Sequence, residues 1–76
     1  MEDPEIICKN IGLKLKELRI KKGYKSHENF AFDNELSRMQ YWRMEKGIAN
    51  CTIKSLLKVL SIHNISLKDF ICQCFD

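Results

Sequence analysis

The chain has 76 residues, 45% of them hydrophobic and 30% charged, with a formal net charge of +3 and four cysteines. That length holds one hydrophobic core and excludes a second, so residues 1–76 are expected to form a single domain. One proline, three glycines and little strict alternation leave scant material for a sheet, so the expected class is all-α.

Asp3-Pro4 has the form of an N-cap followed by proline at the first helical position. The helix it opens is expected to run to Lys22 and to stop at Gly23. Ile7, Ile11, Leu15 and Leu18 make its core face, and Ile6, Leu13 and Ile20 form a second apolar row on nearly the opposite side. One helix of so small a domain cannot bury both rows in one core. Either the C-terminal residues Ile71 and Phe75 fold over the second row or another subunit covers it.

Ser26 is the expected cap of a short second helix, His27 to about Asp33, with Phe30 and Ala31 facing inward. Asp33-Asn34-Glu35 is a polar break. A third helix then lies within Leu36–Gly47, with Ser37 and Gln40 in the pattern of a capping box and Gly47 as its stop. At about 100° per residue, Tyr41, Met44 and Glu45 fall on its inner side. Arg38, Met39, Trp42, Arg43 and Lys46 fall on the other. A helical face with three cations, a Trp, a Met and no acid points to nucleic acid.

Ile48-Ala49-Asn50-Cys51 reads as a loop, and Thr52 as the cap of a fourth helix, Ile53 to His63. Its apolar face is Ile53, Leu56, Leu57, Val59 and Leu60, and Asn64 suits a left-handed end. His63 is expected to be packed and hydrogen-bonded. Ser66 and Asp69 read as another capping box, opening a fifth helix with Leu67, Phe70 and Ile71.

Residues 9–70 hold all 13 Lys and Arg against six acids, a moderate footprint for a polyanion, although a lysine-rich soluble surface gives the same balance. No apolar run of about 18 residues is present, and the acidic start is unlike a signal peptide, so a cytoplasmic, nucleoid-associated setting is expected. Cys8, Cys51, Cys72 and Cys74 lack the twice-repeated pairing of a zinc site, and no metal or other cofactor is expected. No nucleophile has a His or acid at an activating spacing, so the chain does not read as an enzyme.

Two short helices joined by a tight turn, the second basic and aromatic outside, have the order of a helix-turn-helix. Over about residues 10–71 the chain resembles the Xre/Cro-like, phage-repressor type of helix-turn-helix DNA-binding family. The resemblance is carried by Ile11, Leu15, Leu18-Arg19 and Gly23, then Phe30-Ala31, Leu36-Ser37-Arg38 and Met44-Glu45-Lys46-Gly47. Thr52-Ile53, Leu56-Leu57, Val59, Ile65-Ser66-Leu67 and Asp69-Phe70 complete it. It implies a compact five-helix, lambda-repressor-like domain. It further implies that Ser37, Arg38, Met39, Trp42 and Arg43 meet base edges in the major groove. His27 and Lys46 would meet backbone phosphates, and Arg19 and Glu45 would form an ion pair between the first and third helices, unless they are only a surface pair.

The chain departs from the family pattern at four places. Glu35 stands where the turn prefers Gly, with Asn34 beside it as the residue better able to take a left-handed conformation. The segment between Gly23 and Phe30 is one residue longer. His63 replaces a core Leu and Cys51 a Pro.

The expected function is sequence-specific binding of double-stranded DNA by a symmetric homodimer acting in transcription. The second apolar row or the Leu67, Phe70 and Ile71 end would form the dimer surface. Two alternatives stay open. An antitoxin would bind DNA and meet a toxin with its apolar row. A helix-turn-helix adaptor would use Trp42 as a protein anchor and bind no DNA.

Overall fold

Five short polar side chains decide where this chain becomes helical. Asp3, Ser26, Ser37, Thr52 and Ser66 each turn an oxygen onto a backbone amide two or three residues ahead, satisfying a donor that the first helical turn leaves without a partner. The computed structural model describes residues 3–48 and 52–75. It contains α1 (Pro4–Lys21), α2 (His27–Asp33), α3 (Arg38–Lys46), α4 (Ile53–Ile62) and α5 (Leu67–Cys74), with no strand among the described residues. The expected loop residues Ala49, Asn50 and Cys51 lie outside the described residues. Among those described, no helix is long and apolar enough to cross a membrane.

Both expected capping boxes are half made. Ser37 accepts from the Gln40 amide and Ser66 from the Asp69 amide, but neither Gln40 nor Asp69 reaches back with its side chain. Both side chains are exposed, where water competes for their polar ends.

The helix ends share one device. Past α1, α2, α3 and α4 a left-handed residue follows: Gly23, Glu35, Gly47 and Asn64. After each, the next amide returns to a carbonyl five residues back: Tyr24 to Arg19, Leu36 to Ala31, Ile48 to Arg43 and Ile65 to Leu60. That is the Schellman arrangement, which occupies carbonyls the last turn would leave open.

At the α2–α3 turn the sequence favours Asn34 as the left-handed residue, yet Glu35 takes it at φ 56°. The reason is local. The Asn34 side-chain amide donates to the Phe30 carbonyl at 2.9 Å, which ties Asn34 to the helix at φ −108° and moves the reversal one residue on. A left-handed non-glycine residue costs about 1–2 kcal/mol.

The core is Leu15, Phe30, Ala31, Tyr41, Met44, Leu56, Val59, Leu60 and Phe70, with Ile11, Leu18, Tyr24, Leu36, Ile62, Ile65 and Leu67 packed around it. Phe30 is its centre. Its ring meets Tyr24 edge-on at 5.3 Å, Tyr41 at 4.9 Å and the imidazole of His63 in a parallel stack at 5.3 Å. A Cα radius of gyration of 11.6 Å matches the about 11.4 Å typical of a folded chain of this length.

Several expectations about apolar residues are corrected. Ile53 and Leu57 are exposed, because the apolar arc of α4 is wider than the strip that Leu56, Val59 and Leu60 bury. Ile6, Leu13 and Ile20 remain exposed, and so do Ile71 and Phe75, so the C-terminal residues do not cover the second row of α1. Phe70 is fully buried and offers no surface to a partner, while Leu67 is half-buried against the core. His63 is packed in a parallel stack on the Phe30 ring, but its buried Nε2 has no hydrogen-bond partner among the described residues.

Candidate nucleic-acid interface

The position of α3 is set by its contact with α1. At Gly12, in the middle of α1, a Cβ would lie 2.6 Å from the Met44 carbonyl oxygen and would overlap the Glu45 carbonyl. At Gly47 it would lie 2.8 Å from the Lys9 Cα. The two helices therefore meet backbone to backbone at two places, and only glycine allows either.

A buried ion pair fixes the same seam. Arg19 Nε donates to Glu45 Oε2 at 2.8 Å and Nη2 to Glu45 Oε1 at 3.2 Å, a two-point fork with side chains only 5% and 6% exposed. Arg19 Nη1 also donates to the Tyr24 carbonyl at 2.9 Å, so one guanidinium holds α1, the α1–α2 connection and α3. The surface-pair reading is overturned. Beside the fork, the Tyr41 hydroxyl is buried next to Glu45 and Arg19, without a hydrogen bond of ordinary geometry among the described residues. Its pKa is driven far above the ordinary phenol range, first by burial and then by the Glu45 carboxylate, so it remains neutral.

With Tyr41 and Met44 buried, α3 presents its other side to solvent. Met39, Arg43, Lys46, Arg38 and the capping Ser37 are exposed. Trp42 differs from the expectation: it is half-buried instead of standing free. His27, Glu28, Arg38, Met39 and Trp42 line one shallow hollow, so α2 and α3 contribute to a common surface.

That surface is not free of acid in three dimensions. Glu28 of α2 reaches across and accepts from Arg38 Nη1 at 3.1 Å. The pair is exposed and contributes less than about 1 kcal/mol. Its effect is orientation: it uses one nitrogen and leaves the Nε and Nη2 edge of the guanidinium available for a two-point contact. Sequence reasoning missed Glu28 because the contact joins two helices ten positions apart.

It also missed Phe32, which is 84% exposed beside Leu36 and Arg38, and Tyr24, whose hydroxyl donates to Asp33 Oδ2 at 2.9 Å. That carboxylate raises the Tyr24 pKa. Gly12 carried no readable signal, since a mid-helix glycine looks only like a weak helix former. Burial pushes the Cys74 thiol up from its ordinary value, which keeps it protonated. Among the described residues no three metal-ligating side chains come together.

Compared with known protein families, with curated proteins and with solved structures, the chain matches none of them.

Proposed function

We propose that this protein binds double-stranded DNA sequence-specifically through α3, as a small dimeric helix-turn-helix regulator of transcription of the Xre/Cro-like, lambda-repressor-like kind. One observation carries the reading. A short helix locked to α1 by a buried fork and two glycine contacts holds Arg38, Met39, Arg43 and Lys46 outward, with Trp42 at their edge.

The chemistry follows from the side chains. The free edge of Arg38, or the guanidinium of Arg43, matches the O6 and N7 acceptors of guanine, each contact giving about 1–3 kcal/mol of discrimination. Met39 and Trp42 offer apolar surface to thymine methyls. Ser37, at the start of α3, sits where a helix leads with its amides, and His27 and Lys46 flank the reading face as phosphate contacts. Two copies related by a two-fold would place their α3 helices about 34–36 Å apart and read a palindrome.

A second reading is favoured by the exposure of Ile6, Leu13 and Ile20. An antitoxin would use this row for a protein partner while binding DNA with α3.

The test is selection of bound sequences from a random duplex pool at about 50 and about 200 mM salt. A palindromic consensus that survives the higher salt supports the proposal. Arg38→Ala and Arg43→Ala each relax the consensus at one position, by about 1–3 kcal/mol. Absence of binding at both salts overturns the DNA reading and leaves a protein partner of Trp42.

A further inference from the structure

The lysines that base reading leaves unused are not scattered. Lys9 and Lys16 of α1, Lys25 of the α1–α2 connection and Lys46 of α3 line a single cleft of about 550 Å³ between α1 and α3. Leu13, Trp42 and His27 line it too, and the Arg19–Glu45 fork lies at its base with the two charges cancelling each other. None of the four ammonium groups pairs with a carboxylate among the described residues. Four like charges thus converge on one concavity, an arrangement that concentrates positive potential and attracts anions.

Three features describe the anion. Lys9 and Lys16 stand seven residues apart, about 10 Å along the helix, so the cleft spreads its charges over a length that a chain of phosphates fills more completely than one small ion. Leu13 is 65% exposed in the midst of the lysines, and Trp42 adds a ring, surfaces that suit sugars between charged groups. The cleft is also continuous with the reading face, because Trp42 and His27 line both hollows.

We infer that this cleft seats the phosphate backbone of one DNA strand while α3 occupies the groove beside it, which makes α1 part of the DNA interface through Lys9 and Lys16. The inference rests on the DNA reading above and adds to it a second surface, with its own charge count. Ammonium groups on phosphates carry affinity but no sequence information.

The test compares the salt dependence of duplex binding by the full chain, Lys9→Gln/Lys16→Gln, and the control Lys21→Gln/Lys68→Gln. The control removes two exposed lysines outside the cleft. Each phosphate contact contributes about 0.9 to the slope of log K against log salt. The cleft variant is therefore expected to lose about 2 from the slope per bound copy and to select the parental consensus, while the control keeps the parental slope. Thermal unfolding monitors the fold of both variants.

An unchanged slope in the cleft variant, an equal loss in the control, or a changed consensus overturns the inference. Each of these leaves the DNA reading standing, because the parent still binds. A parent that binds no duplex overturns both.

Discussion

The α1–α3 seam and the α4–α5 end hold the same small core by different means. At the seam the contacts are specific in direction: two glycines set backbone on backbone, and a guanidinium forks onto a carboxylate. At the α4–α5 end the contacts are generic: Leu56, Val59, Leu60 and Phe70 fill space, and His63, at the end of α4, is stacked on the Phe30 ring with Nε2 unpartnered among the described residues. Apolar side chains are interchangeable at similar volume, whereas a fork and a glycine contact permit one geometry. Directional contact lies under the helix whose orientation matters, and volume-filling contact lies where only burial matters.

The largest expected effect comes from breaking the fork. Arg19→Met strands the Glu45 carboxylate and is expected to cost about 3–5 kcal/mol in urea unfolding. A chain of this size has about 4–11 kcal/mol in total. Adding Glu45→Leu recovers most of that loss, since a matched apolar pair often replaces a buried ion pair without penalty. It does not recover the bond to the Tyr24 carbonyl, so the double variant falls short of the parent. Full recovery would show that the Tyr24 link contributes nothing.

Gly12→Ala is the next largest. Alanine favours the helix by about 1 kcal/mol, but the methyl group overlaps two backbone carbonyls that cannot turn aside. A net loss of about 1–3 kcal/mol is expected. On the proposed function, duplex affinity should fall further than stability alone accounts for, because α3 must shift. A stabilised variant with full affinity would mean that the seam yields.

The smallest effect lies at the other end. Burial, then Lys22, pushes the His63 pKa below the ordinary histidine value. The unfolded chain therefore takes up the proton more readily. Stability is complete above the unfolded value of about 6.5 and is lost as the pH falls through it toward the folded value. Thermal unfolding should show a small drop between about pH 7.5 and 5.5 that His63→Leu flattens.

What could be read from the sequence follows the range of the forces involved. Caps and stops act over two to four residues, and for that reason Asp3, Ser26, Ser37, Thr52, Ser66, Gly23, Gly47 and Asn64 mark helix bounds to within a residue or so. Helical period separates Tyr41 and Met44 from Arg38, Met39 and Arg43 without any tertiary knowledge. Apart from the Arg19–Glu45 pair, which the resemblance implied, what depends on a second helix stayed hidden: the tightness of Gly12, the reach of Glu28 to Arg38, the partial burial of Trp42, the convergence of Lys9, Lys16, Lys25 and Lys46. The choice of Glu35 over Asn34 stayed hidden too, since one side-chain bond to Phe30 decides it.

Trp42 is the chain's single tryptophan, and it stands half-covered where the α2–α3 hollow meets the lysine cleft. The protein thereby contains its own optical probe. Indole emission responds to the polarity and the quenchers around the ring, so whatever occupies either hollow changes the signal without any attached dye. Departure of α3 from α1 exposes the ring and moves the emission the opposite way from a partner that covers it. One spectrum thus distinguishes an occupied protein from an opened one.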